Sequence, residues 1–327
     1  MNVSAKAETV QKGGAWGRFR HWWSCCLEDE AVLGYLLLVP TVLTVLGVVG
    51  YPFLMSIYYS LTDKAVGATE INFIGFDNYA SLIKDRIYRK AFVNTFNFTV
   101  TAVIVKILLG LVMALTLYEV KRFRRLFRAT FLLPWVMPTS LSVLGWLWMF
   151  DPQFSVITHI LKLTGLFDLM KTVGILKPLA TSIPWRGDAQ LAMASVQTVN
   201  IWRGTPFFCM MILASLMTVP QELYEAARVD GANWIQRFWY VTFPFILPVL
   251  IVALLFSFVR TMGDFQIVWI LTNGGPFDST QLIATRAYQV AIQGAKEMGL
   301  GAAVAVSLFP FLLPLIILQL RYLRREE

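Results

Sequence analysis

Six apolar blocks alternate with polar connections along the 327 residues, at about 31–62, 91–118, 129–150, 191–217, 243–271 and 300–320. A helix crossing a hydrocarbon layer ~30 Å thick needs about 20 apolar residues, so each block is long enough to span a membrane. Pro40 and Pro52 break the first block, and Pro134 and Pro138 interrupt the third. Backbone groups freed by such prolines must find partners on neighbouring helices, so the spans are expected to pack as a bundle.

The polar stretch between the fourth and fifth blocks, from Pro220 to Pro244, predicts a helical elbow: a short helix, a break at Asp230-Gly231, and a second helix from about Asn233. Pro220 suits a first helical turn, where its missing N–H is not needed, and Gly231 can take the positive φ that ends a helix. The connection over 151–189 contains Pro152, Gly165, Pro178 and Pro184 and a weak amphipathic pattern, and it is long enough to form a functional extramembrane surface. Thr272-Asn273-Gly274-Gly275-Pro276 reads as a turn leading to a further extramembrane stretch. Residues 1–30 interleave Arg18 and Arg20 with Trp16, Phe19, Trp22 and Trp23, the pattern of an interfacial helix or a polar tail. A secretory signal does not fit, because the first apolar run continues far beyond a signal core and no small-residue cleavage site follows. The domain organisation expected is this tail and one six-span domain over 31–327, including the elbow at 218–243 and the loop at 151–189.

Composition agrees: 57% of side chains are hydrophobic and 15% charged, which excludes an ordinary soluble protein and implies an all-α integral membrane fold. The formal charge of +8 fits basic cytoplasmic loops facing anionic lipid better than nucleic-acid binding. Lys121, Arg122, Arg124, Arg125 and Arg128 follow the second block against Glu119, whereas the segment after the first block nearly balances its charges. That asymmetry puts the elbow and both termini in the cytoplasm and the 151–189 loop outside. Cys25, Cys26, Cys209, His21 and His159 are too few and too scattered for a zinc cluster or a disulfide framework.

No Gly-x-x-x-x-Gly-Lys-Ser/Thr phosphate loop occurs, so energy must come from a partner or a gradient. Met262-Gly263-Asp264 resembles part of an intramembrane aspartyl-protease signature, but it lacks the glycine two residues earlier and a convincing second aspartate. No catalytic or metal-ligating set emerges. Three basic residues instead lie deep in spans, Lys106, Arg203 and Arg260. Such charges cost roughly 2.5–3.5 kcal/mol each on insertion scales, so each should meet a partner, a carbonyl or a water-filled path. Arg260 and Asp264, four residues apart, can neutralise each other on one helix. Arg203 precedes Gly204-Thr205-Pro206, where a loosened helix offers carbonyls, and Lys106 has no acidic residue within helical reach. Gln197, Asn200 and Arg203 draw a polar stripe down the fourth span, suited to sugar hydroxyls or to gluing helices together.

Glu225-Ala226-Ala227, then Gly231, then Val241-Thr242-Phe243-Pro244 keep the spacing Glu-Ala-Ala, three residues, Gly, nine residues, Ile-x-Leu-Pro. This resembles the signature loop of permease subunits of bacterial ATP-binding-cassette importers, with Val241 standing for Ile and Phe243 for Leu. Phe73-Ile74-Gly75-Phe76-Asp77-Asn78-Tyr79, Leu133-Pro134 to Pro138, Trp202-Arg203-Gly204-Thr205-Pro206-Phe207 and Leu271 to Pro276 resemble the carbohydrate-uptake branch, related to maltose and glycerol-phosphate permeases. The resemblance implies the six-helix, type I (MetI-like) importer permease fold in the bacterial cytoplasmic membrane. It implies a second, homologous permease, an extracytoplasmic solute-binding protein, and two cytoplasmic ATPase subunits that bind the ATP and magnesium. The elbow would dock on an ATPase through Glu225, Ala226, Ala227, Arg228, Asp230 and Gly231 and pass force through Pro244 to the fifth span. Lys106, Gln197, Asn200, Arg203 and Arg260 are the candidates for the translocation path. Lys106 is the charge least expected in this branch and points to an acidic, uronate-containing oligosaccharide; neutral oligosaccharides, glycerol phosphate and a gradient-driven carrier are the alternatives.

Overall fold

A computed structural model of the protein describes residues 30–120, 122–174, 180–294 and 296–324. All of the expected N-terminal segment except Glu30 lies outside the described residues. The described residues are helical, with one isolated antiparallel bridge between Thr62 and Phe73. The chain divides into two compact units, one ending at Tyr58 and one from Tyr59 onward.

The first apolar block is helical over 30–60, as α1 (Glu30–Val45), a π-helical turn (Leu46–Gly50) and α2 (Tyr51–Ser60). Pro40 sits inside α1 without ending it, and the irregularity falls just ahead of Pro52. Proline lacks an N–H and its ring crowds the carbonyl four residues back; the wider turn, closed by Tyr51 N–H on Leu46 O, makes room for it. The same device recurs where the π-helical turn Phe238–Thr242 precedes Pro244.

The second unit is built on three long helices, α4 (Arg86–Glu119), α9 (Ala189–Leu216) and α12 (Phe243–Met262). Ahead of them lies α3 (Asp77–Lys84), whose Asn78 amide donates to the Ser60 and Thr62 carbonyls while the Tyr79 hydroxyl bonds Ser60. The third apolar block is not a straight helix. It forms α5 (Arg124–Val136) and α6 (Thr139–Met149), bent by 92°. Pro134 is accommodated within α5, but Met137, held extended by the following Pro138, ends the helix. Five helices are therefore long and apolar enough to span a membrane among the described residues, or six if this bent pair is one span.

The 151–189 connection has structure of its own: α7 (Val156–Leu163) and α8 (Leu166–Thr172) pack around Phe167 and Ile183, with Trp185 Nε1 donating to Thr158. The elbow supplies α10 (Gln221–Val229) and α11 (Trp234–Arg237). The fifth span is displaced toward the elbow relative to 243–271: the continuous helix runs over Trp234–Met262, and Gly263 ends it before the short α13 (Gln266–Leu271). Beyond are α14 (Ile283–Tyr288), the π-helical turn Gln289–Gln293, α15 (Met298–Val306) and α16 (Phe309–Leu323).

Two apolar layers hold the long helices. One joins Ala114, Phe208, Leu213, Ile246 and Ala253; the other joins Phe98, Val143, Val196, Ile267 and Leu271. Between these layers, Asn200 and Arg203 of α9 and Ser257, Arg260 and Thr261 of α12 form a polar band among apolar neighbours.

Candidate functional site

That polar layer lines a cavity of about 60 Å³ where α4, α9 and the α12–α13 break converge. Lys106, Asn200, Arg203, Gly204, Ser257, Arg260, Thr261 and Asp264 face it, together with the aromatic side chains of Trp135, Phe207 and Phe256. The helical register explains the grouping. Ser257, Arg260 and Thr261 share one face of α12, with Asp264 just past its end, as Asn200, Arg203, Gly204 and Phe207 share one face of α9.

Lys106 is only 3% exposed, and its Nζ donates to Thr261 Oγ1 at 2.9 Å. It reaches Thr261 because residue 204 has no side chain: a Cβ there would lie 2.6 Å from Lys106 Cε and 3.0 Å from Nζ. Asp264 is held twice, its Oδ2 accepting from Asn200 Nδ2 at 2.7 Å and its Oδ1 from the Ile267 N–H at 3.2 Å. Two bonds from different helices thus clamp the end of α12, one from α4 and one from α9.

Arg260 does not pair with Asp264 as the four-residue spacing suggests. Its guanidinium is exposed and sits 5.9 Å over the Phe256 ring, and among the described residues the ion pairs are Lys171–Asp168 and Arg286–Asp85. Asp264 lies where the helix has ended at Gly263, so the i,i+4 geometry does not apply, and its oxygens serve Asn200 and the start of α13. Two buried polar atoms at the site have no hydrogen-bond partner, Asn200 Oδ1 and Arg203 Nε. Of the polar stripe, Asn200 and Arg203 reach the cavity and Gln197 is not among its lining residues. Thr261, Ser257, Asp264 and the aromatic wall belong to this site and are absent from the sequence-derived set. The signal for Ser257 and Thr261 was the polar run at 257, 260 and 261 on one face of α12, where the spacing paired Arg260 with Asp264 instead.

The elbow is the second candidate region. Glu225, Ala226, Arg228, Asp230, Gly231 and Pro244 are exposed, and Ala227 is half-buried. Gly231 has φ +77°, its N–H bonds Arg228 O at 3.0 Å and the Ala232 N–H bonds Ala227 O at 2.9 Å, a Schellman ending. Asn233 and Gln236 then form a reciprocal capping box that starts α11. Tyr224 ties α10 to the span through Thr242, hydroxyl to hydroxyl, at 2.9 Å.

A third set of contacts organises the opposite end of α4. Asn94 donates to the Ser279 and Gln281 carbonyls, Thr95 accepts the Ile283 N–H, and Asp85 pairs with Arg286 at 2.8 Å. Burial pushes the Asp85 carboxyl up, but the Arg286 hydrogen bond, the Ile87 N–H and the Arg286 charge outweigh it and hold it below 3.8.

Residues 106–326 match the family described as binding-protein-dependent transport system inner membrane component. The trehalose/maltose transport system permease MalF of Thermococcus litoralis is 31% identical over 292 residues, covering 89% of this chain and 94% of that protein. The sulfoquinovosyl glycerol transport system permease SmoG of Agrobacterium fabrum is 30% identical over 307 residues, covering 93% and 95%. A bacterial ABC transporter involved in import of the acidic polysaccharide alginate superposes with a TM-score of 0.74 at 21% identity, covering 94% of this chain and 99% of that one. The same system with a pentasaccharide-bound periplasmic protein gives 0.72. These likenesses establish the type I importer permease fold. Matched over two thirds of its length and aligned almost end to end with permeases of 30% identity or more, the chain belongs to the family of inner-membrane components of binding-protein-dependent transport systems.

Proposed function

We propose that this chain is one permease subunit of an ATP-driven importer of an acidic oligosaccharide, with the cationic layer setting the preference for negative charge. The observation that carries this reading is the cavity itself, where Lys106, Arg203 and Arg260 face a single carboxylate already engaged elsewhere. Arg203 and Arg260 are the more accessible cations and meet the cargo's carboxylates. Lys106 is buried, and it contributes field and holds α12 in place. The carbohydrate class is supported by the relatives' cargoes, trehalose, maltose and sulfoquinovosyl glycerol.

ATP hydrolysis belongs to two cytoplasmic ATPase subunits, and α10 docks on one of them with both termini on that side of the membrane. A rigid Schellman ending and capping box let the elbow move as one body with the continuous helix behind it, so that ATPase closure tilts α12 and the access of the cavity alternates. A second permease completes the pathway, and an extracytoplasmic binding protein delivers cargo to the surface that includes α7 and α8.

The test is ATPase stimulation of the purified assembly in proteoliposomes, with its binding protein, by uronate-containing and neutral oligosaccharides. Stimulation by the acidic set, lost in Arg260→Gln, supports the reading. Equal stimulation by both sets, unchanged in the variant, refutes it and leaves the neutral-sugar importer. Uptake that persists without the ATPase subunits would instead identify a gradient-driven carrier.

A further inference from the structure

Charge balance in the cavity carries a consequence independent of which saccharide is carried. Three cationic side chains, Lys106 buried, Arg203 half-buried and Arg260 exposed, face one carboxylate, an excess of two positive charges lining the cavity. Asp264 makes no ion pair with any of them: its oxygens are taken by Asn200 Nδ2 and the Ile267 N–H. The Lys106 ammonium has a hydroxyl, Thr261 Oγ1, as its hydrogen-bond partner, and a hydroxyl carries no balancing charge. Of the three only Lys106 is buried, and a buried charge is stabilised by an opposite charge or by a water-filled site.

The cavity also has room and unfilled polar atoms. Its volume of about 60 Å³ exceeds the ~10–15 Å³ that a single water-sized body requires. Arg203 Nε is a buried donor without an acceptor. Asn200, 6% exposed, turns its unpartnered Oδ1 away from Asp264, to which its amide donates. A donor beside other cations suits an anion, and a bare acceptor suits a water; the space admits both.

We infer that the cavity holds a small monovalent inorganic anion, of the halide class, together with bridging water when no cargo is bound. The anion accepts from Arg203 Nε and balances Lys106 and Arg260, and the water joins it to Asn200 Oδ1. The site then stays folded when empty of substrate, and an acidic cargo displaces the ion with its own carboxylate; that exchange step alone rests on the function proposed above.

The probe is bromide. Crystals of the wild-type assembly grown in bromide should show an anomalous peak within the cavity, and absence of a peak overturns the inference. In a second measurement, chloride or bromide should raise the melting temperature of the assembly relative to gluconate at equal ionic strength. That shift should be retained in Lys106→Arg and lost in Lys106→Met. An equal shift in Lys106→Met, or none in the wild type, contradicts a site built on these cations. The bromide peak can be present while uptake ignores cargo charge, in which case the acidic-cargo reading fails and the ion site stands.

Discussion

Gly204→Ala and Gly110→Ala add the same methyl group to the α4–α9 contact and should have different consequences. At Gly204 the new Cβ would lie 2.6 Å from Lys106 Cε and 2.8 Å from Cδ, about 1 Å inside ordinary carbon contact. A lysine side chain can swing away, and what is lost is the 2.9 Å bond to Thr261. A buried hydrogen bond to a charged group is worth about 1.5–3 kcal/mol, offset by the ~1 kcal/mol that alanine gains over glycine in a helix. The net loss is about 0.5–2 kcal/mol. At Gly110 the neighbours are Phe208 Cβ at 2.5 Å and the Cys209 backbone nitrogen at 3.0 Å, which cannot move without separating the helices. Overpacking there costs ~1–3 kcal/mol beyond the helix gain and disturbs the apolar layer around Phe208. Thermal unfolding and proteoliposome uptake should therefore separate the two: Gly110→Ala lowers the melting temperature and the yield of assembled importer. Gly204→Ala leaves assembly intact and impairs uptake. The sign reverses in a Lys106→Ala background, where Gly204→Ala should stabilise by about 1 kcal/mol because the clash is gone and the helix gain remains. Gly204→Ala destabilising equally with and without Lys106 would refute the contact on which the site is built.

Two further outcomes follow. Gly231→Val places a β-branched residue at φ +77° with open space around it, so the ~1–3 kcal/mol of strain falls on the Schellman ending alone; together with Glu225→Lys it should uncouple ATPase activity from uptake in membranes while the inserted protein level is unchanged, and retained uptake in both variants would remove the coupling role. The Asp85 carboxyl is depressed in the folded protein, so its contribution is present in full above the unfolded value of about 4 and is lost as pH falls through the lower folded value. Melting temperatures between pH 3 and pH 7, as a rough range around that window, should therefore fall more steeply for the wild type than for Asp85→Asn, and parallel curves would show that the Arg286 pair does not set this dependence.

Much of the architecture is legible in the sequence because the bilayer leaves few choices. Apolar blocks of sufficient length mark the spans, and the elbow can be read residue by residue because Gly231 and Asn233 have local roles, a positive φ and a cap. The features that sequence reasoning misplaced depend on distant contacts or on small changes of helical register. Met137-Pro138 turns the third block through 92°, whereas Pro40 leaves its helix straight enough to continue; the distinction lies in whether the residue before the proline keeps helical ψ. The fifth span starts in the elbow and stops at Gly263, because a π-helical turn carries the helix through Pro244. Asp264 and Arg260 looked like partners along one helix, yet Asn200, 64 residues away in sequence, holds the carboxylate. The aromatic wall of Trp135, Phe207 and Phe256 comes from three helices, and no single-segment pattern contains it. Lys106 stood out as a buried charge, but its dependence on Gly204 emerges only from the helix crossing.

The central claim is that Lys106, Arg203 and Arg260 set the charge of the cargo. It is tested most directly by uptake of a labelled uronate-containing oligosaccharide and its carboxyl-reduced neutral counterpart by the reconstituted assembly, with wild-type protein and with Arg260→Gln. The account predicts preferential uptake of the acidic form by the wild type and a ratio that falls toward one in the variant. Equal uptake of both forms by the wild type, or a ratio unchanged by the substitution, would contradict it.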